Sequence, residues 1–150
     1  MDSERRYEDA CIASSVPLAL NEGMSKSVLV VDDSATMRLT MRLLLEGRNA
    51  ELEVREAVDG VDAIEKAETL KPDFIVLDFA MPRLNGADAA SILKKTMPDT
   101  PIVLLTLYND VARALSSVSG VEVISKTDGI PRLLDRVDTL FKTSANGMKF

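Results

Sequence analysis

Two adjacent aspartates, Asp32 and Asp33, follow directly on the apolar run Val28-Leu29-Val30-Val31. A third, Asp78, follows "FIVL". Thr106 closes "PIVLLT", and Lys126 follows "VEVIS". Each of these residues ends what reads as a buried strand. Three carboxylates brought together repel and hold one another's protons. A divalent cation removes the conflict. An all-oxygen ligand set suits Mg²⁺, which binds at about 2.0–2.1 Å and keeps waters that a phosphate displaces. One aspartate can then attack phosphorus and become an aspartyl phosphate, while the cation neutralises charge on the phosphoryl oxygens. An ammonium and a hydroxyl can serve the remaining oxygens. Lys126 and Thr106 are residues of those types. Taken singly, each has a plainer reading. Asp32 and Asp33 fit a solvated turn with Asp33 capping a helix; Thr106 fits a strand end and Lys126 a surface lysine. Only their joint order along the chain favours the chemistry.

The composition narrows the alternatives. The chain has 150 residues, 46% hydrophobic and 28% charged, with a net charge of −6, which fits one soluble domain. It contains no histidine and one cysteine, Cys11. Ser-His-Asp catalysis, His-ligated zinc, an internal disulfide and a thiolate cluster are therefore excluded. The negative charge argues against nucleic acid or an anionic membrane as the main partner. No apolar run approaches the ~20 residues of a membrane helix. "CIASSVPLAL", at residues 11–20, follows Asp and Glu and contains Ser and Pro, a poor signal peptide. A cytoplasmic location is expected.

The elements that would position these residues follow from periodicity. Residues 1–24 show no sustained period and read as a flexible extension ending at Met24, itself a candidate start. Strand β1 is expected at 26–31. Helix α1 follows at 34–46, with Met37, Met41, Leu44 and Leu45 at helical spacing and Gly47 as its terminator. A weaker strand, β2, spans 52–57. Helix α2 spans 60–70, with Val61, Ile64 and Ala67 on one face and Pro72 as its stop. Strand β3 covers 74–77 and ends in Asp78, and helix α3 spans 87–96. Strand β4 covers 101–106. Helix α4 spans 109–118, with Val111, Ala114, Leu115 and Val118 inward. Strand β5 covers 121–125. Helix α5 spans 128–142, opened by Asp128 as a cap and Pro131 in its first turn, with Leu133, Leu134, Val137, Leu140 and Phe141 as its apolar face. The domain is expected at 25–143 and a C-terminal stub at 144–150. Five strands alternating with five helices imply an α/β fold, a doubly wound parallel sheet with right-handed crossovers. Ligands of such sheets bind beyond the carboxyl ends of the strands, where all five residues would meet.

From about Lys26 to Lys142 the chain resembles a receiver domain of two-component response regulators. The tokens are "VVDDS", "IVLDFAMPRLNG", "VLLT" and "VISK", in order and each at a strand end. The resemblance implies a flavodoxin-like five-stranded sheet of order 2-1-3-4-5. It implies that Asp78 is the phosphoacceptor and that Asp32, Asp33, Asp78 and the backbone carbonyl of Ala80 hold Mg²⁺, with Mn²⁺ as a substitute. Thr106 corresponds to the switch hydroxyl and Lys126 to the family's lysine. A histidine kinase or phosphotransfer protein would donate the phosphoryl group. The output would be binding of a downstream protein to the α4-β5-α5 face, by a monomer or weak dimer of the stand-alone, chemotaxis type, without direct contact to nucleic acid or membrane.

Three positions depart from the family pattern. Leu107 stands where a small residue is usual, and with Tyr108 beside it the phosphoryl group is expected to be long-lived. Val123 replaces the usual aromatic switch residue. Thr127 follows Lys126 where proline is usual, so a trans bond is expected. A phosphorylation-independent docking module is the first alternative. An aspartate-nucleophile phosphatase of the haloacid dehalogenase type is the second, disfavoured because Ala80 stands where its second aspartate would be. A dinucleotide site would need a glycine-rich first turn, which "VVDDSAT" lacks.

Overall fold

The computed structural model describes residues 26–107, 120–127 and 129–148, with side chains of the last helix described through Thr139. Strands β1 (Lys26–Val31), β2 (Leu52–Ala57), β3 (Phe74–Asp78), β4 (Ile102–Thr106) and β5 (Val121–Ser125) form one parallel sheet. Its order is β2-β1-β3-β4-β5, the expected 2-1-3-4-5. Helices α1 (Ala35–Arg48), α2 (Gly60–Leu70), α3 (Gly86–Thr96) and α5 (Ile130–Met148) are described. The expected α4 at 109–118 and the Asp128 cap lie outside the described residues, as do the extension at 1–24 and Tyr108.

Strands β3 and β4 are buried along their whole length, which explains their unbroken apolar runs. β2 alternates instead. Leu52, Val54 and Ala57 turn inward while Glu53 and Arg55 are exposed and pair with each other, the pattern of a half-covered edge strand. Two cores result. Leu29, Val31, Ile75, Leu77, Ile102 and Leu104 pack on one face with Ala63 and Ala67 of α2 and Ala89, Ala90 and Leu93 of α3. Val28, Val30, Phe74, Val76, Val103 and Leu105 pack on the other with Met41 and Leu45 of α1 and Leu133 and Val137 of α5. Each large side chain so buried contributes about 1.5–3 kcal/mol, and together they fix the strand ends in space.

The helices differ from expectation in instructive ways. α1 runs through Gly47 to Arg48, with Asn49 as an extended C-cap. A Cβ at Gly47 would meet nothing within 4 Å. What holds the last turn is Arg48, whose guanidinium pairs with Asp138 and Asp135 of α5 and whose charge suits a helix C-terminus. Ser34, not Asp33, caps its start by accepting from the Met37 N–H. Leu44 is exposed rather than inward. In α2 the buried face is Gly60, Ala63 and Ala67, while Val61 is exposed. Gly60 turns in because the β3–α3 loop presses on it: a Cβ there would lie 2.7 Å from the Leu84 carbonyl oxygen. α5 continues past its expected end at 142 to Met148, as extending a helix costs less than starting one.

Gly86, the first residue of α3, has little room. A Cβ there would sit 2.3 Å from the Asp78 carbonyl oxygen, 2.6 Å from Leu104 Cδ1 and 2.9 Å from Phe79 Cα. Two of these neighbours are backbone atoms, which cannot swing away. Gly86→Ala is expected to cost about 2–3 kcal/mol, the upper range for forced overpacking, read as a lower urea midpoint with an unchanged slope.

Candidate functional site

The parallel sheet delivers β1, β3, β4 and β5 to one rim, and the turns after them set the side chains. Asp32, Asp78 and Thr106 are all buried there, while Asp33 is exposed at the cavity edge. In the β1–α1 turn the Asp32 N–H donates to the Ala57 carbonyl at 3.2 Å, and Asp32 Oδ1 accepts from the Ser34 N–H at 2.9 Å. The loop after Asp78 is closed at both ends. Phe79 N–H donates to the Leu105 carbonyl, and Gly86 N–H to the Phe79 carbonyl. Within it Arg83 takes a left-handed backbone, φ 69°, and its guanidinium donates to Asp59. The Asp62 N–H, and after it Arg83, hold the Asp59 carboxyl below its usual range.

Lys126 is held by its backbone as well as its ammonium. Its N–H donates to the Thr106 carbonyl at 2.7 Å. Around it a tight turn forms, in which Thr127 N–H donates to Ser125 Oγ at 3.1 Å and Gly129 N–H to the Ser125 carbonyl at 2.9 Å. The described residues contain no cis peptide bond, so Lys126–Thr127 is trans as expected. The Ser125 hydroxyl thus engages a backbone N–H that proline would not have. Lys126 Nζ lies 2.6 Å from Asp78 Oδ1 and 3.4 Å from Asp32 Oδ2.

Asp32, Asp33 and Asp78 each offer one carboxylate oxygen, and these three atoms lie within 4.8 Å of one another. They line a cavity of about 210 Å³ with Ala80, Thr106, Leu107 and Lys126. Burial pushes the Asp78 carboxyl up, and the charges of Asp32 and Asp33 push it further, against the opposing pull of Lys126. Lys126 responds oppositely. Burial draws it down, but the hydrogen bond and charge of Asp78 and the charge of Asp32 more than compensate, and it ends raised. Three acids therefore face one ammonium, leaving two negative charges that a divalent cation would neutralise. The donors are hard oxygens, so the residues present fit Mg²⁺. A larger groove of about 520 Å³ lies between the C-terminal ends of α2 and α3, away from the strand ends; no acidic trio gathers there among the described residues.

Asp32, Asp33, Asp78, Ala80, Thr106 and Lys126 thus meet in one cavity. Leu107 is 60% exposed at its edge, and Val123 is partly buried against the core. Sequence reasoning missed the residues that brace the site. One is Arg38, whose guanidinium donates to the Asp32 carbonyl at 2.7 Å and to Glu56 at 2.9 Å; the Asp59–Arg83 pair and Ser125 are others. Arg38 stands in the same "DDSATMR" stretch as the acids, but nothing in its spacing marks a backbone contact.

The family profile of the response regulator receiver domain matches residues 28–138. Chemotaxis protein CheY of Thermotoga maritima is 34% identical over 95 residues, covering 63% of this chain and 78% of that protein. A protein-glutamate methylesterase/protein-glutamine glutaminase of the same organism is 36% identical over 123 residues. The match takes in 73% of this chain but only 36% of that protein; for the Geobacter sulfurreducens methylesterase the share is 26%. Among solved structures, the Francisella response regulator 1452 receiver domain superposes with TM-score 0.69 at 28% identity, over 80% of this chain and 99% of that one. Response regulator TrrA of Thermotoga maritima, in complex with Mg²⁺-BeF, gives TM-score 0.69 at 30% identity, over 77% and 98%.

The raised pKa of Asp78 makes a prediction about stability without a divalent cation. Ionised Asp78 costs folding free energy at pH values above its folded pKa, and the cost fades as pH falls through that value toward the ordinary carboxylate range. In chelator at pH 7, Asp78→Asn is expected to raise Tm by about 2–4 °C, the shift that ~1 kcal/mol gives a chain of this size. The gain should vanish in acid and shrink when MgCl₂ is added, both read by thermal scans.

Proposed function

We propose that this chain, which belongs to the response regulator receiver domain family, is a phosphorylation-controlled signalling module with Asp78 as its acceptor. The observation that carries the reading is the Lys126 ammonium 2.6 Å from a buried Asp78 that shares its cavity with two further acids. Such a carboxylate is positioned by one partner and surrounded by charge that a cation would balance.

In this reading an Asp78 oxygen attacks the phosphorus of a phosphohistidine on a histidine kinase or phosphotransfer protein. The O–P bond forms as the P–N bond breaks, and the departing imidazole takes up a proton. Asp32, Asp33, Asp78 and the carbonyl of Ala80 would hold Mg²⁺, with Mn²⁺ as a substitute. When bound, the ion would neutralise charge on the transferring group; the TrrA structure in complex with Mg²⁺-BeF supports that assignment. Lys126 moves from Asp78 to a phosphoryl oxygen, and the Thr106 hydroxyl donates to another. The new charge then repositions the α4-β5-α5 surface, where a downstream protein binds. The chain is no enzyme beyond its own phosphorylation and dephosphorylation. No helix among the described residues is long and apolar enough to cross a membrane, and we place the module in the cytoplasm. Leu107 at the cavity edge limits the approach of water and lengthens the life of the phosphoryl group. A receiver that docks partners without phosphorylation is the competing reading, favoured by Leu107 and Val123 at positions that depart from the family pattern.

Incubation with Mg²⁺ and a small phosphodonor is expected to add one phosphoryl group by intact mass. Asp78→Asn should abolish it. No adduct on wild type would favour the docking alternative. Lys126→Met should lower the phosphorylation rate about a hundredfold, the effect of removing one preorganised charge from a transition state. Leu107→Ala should speed loss of the group about tenfold, ~1.4 kcal/mol of barrier. A wild-type lifetime of seconds would contradict the shielding role.

A further inference from the structure

Arg38 bridges three elements. It stands on α1, its Nε donates to Glu56 Oε1 of β2 at 2.9 Å, and one Nη donates to the Asp32 carbonyl at 2.7 Å. Its side chain is only 15% exposed. Glu56 is itself fixed from the other side, since Arg42 Nε donates to Glu56 Oε2 at 2.8 Å. The hydrogen bond from Arg42, opposed by burial and helped by Arg38, holds the Glu56 carboxyl below its usual range. A planar guanidinium with fixed donor directions suits such a bridge, and a lysine ammonium does not.

The contact at Asp32 is to the carbonyl of the peptide that joins the two adjacent acids. The preceding peptide is held by the Asp32 N–H bond to Ala57, and the Asp32 side chain by the Ser34 N–H donating to Oδ1. Those contacts restrain the Asp32 side. Arg38 restrains the plane of the following peptide, and so the direction in which Asp33 leaves the backbone. Asp33 is exposed and needs that restraint most.

We infer that Arg38, clamped by Glu56, is a positioning residue that holds the Asp32–Asp33 peptide so that both carboxylates converge for a divalent cation. The inference rests on the metal-site reading above. It has a sign that a purely electrostatic role lacks. Removing a cation beside an acidic cavity strengthens Mg²⁺ binding if only charge matters. Loosening a brace weakens it, commonly by tenfold or more for groups that orient metal ligands.

The test is Mg²⁺ affinity measured by calorimetry on the full chain, with Tm shift in MgCl₂ as a second readout. Arg38→Met removes charge and fork. Arg38→Lys keeps the charge but cannot reach both acceptors with one planar group. Arg42→Met removes an equal charge from the same Glu56 without touching Asp32. Both Arg38 variants should bind Mg²⁺ about tenfold more weakly, and Arg42→Met should stay within about twofold of wild type. If Arg38→Met fails to fold, Arg38→Lys carries the test alone. Unchanged or tighter binding in the Arg38 variants overturns the inference, as does equal weakening in Arg42→Met. Wild type that ignores Mg²⁺ overturns this inference together with the metal-site reading; wild type that binds it while Arg38→Lys binds equally well overturns the inference only.

Discussion

Three carboxylates confined with a single ammonium is an arrangement that folding alone would not select. Each buried charge loses hydration, and the acids repel one another at short range. Lys126 relieves part of this, because it reaches both Asp78 and Asp32. The rest must be borne by the scaffold. Two packed cores, one on each face of the sheet, supply the rigidity that keeps mutually repelling groups from drifting apart. The site is thus a local conflict held in place by distant apolar contacts.

The connections between strands carry more of this task than the strands do. Gly86 lets the loop after Asp78 close against the backbone of Asp78 itself. Arg83 accepts a left-handed backbone and is tied to the start of α2 through Asp59. The turn after β5 is drawn tight by Ser125 and Gly129, where a Cβ would come within 2.2 Å of Ile124 Cγ2. Each of these contacts joins a loop of the rim to a neighbouring element, so the three acids and the lysine are located by a ring of linked turns.

The parts of this structure that were readable in the sequence were those that depend on period and order. Unbroken apolar runs marked β3 and β4, β2 showed as a weaker strand, and polar residues after the runs marked the rim. Where partners come from far along the chain, local reading failed. Gly47 looks like a helix stop, yet Arg48 finds Asp138 on α5 and the helix continues. Val61 looks inward by spacing, yet the loop leaves room only for Gly60. Asp33 is a good capping residue, yet Ser34 takes the role and leaves Asp33 at the cavity. Arg38 was invisible for a different reason: it acts on a backbone carbonyl, which every residue has and no motif records.

The exposed pair on β2 bears on how this molecule meets others. An outermost strand carries a row of amide and carbonyl groups that could recruit a further strand. On β2 that row is flanked by Glu53 and Arg55, opposite charges on the open side of the strand. A second chain laying a strand there would have to strip water from both. Extension of the sheet from molecule to molecule is therefore discouraged along this border.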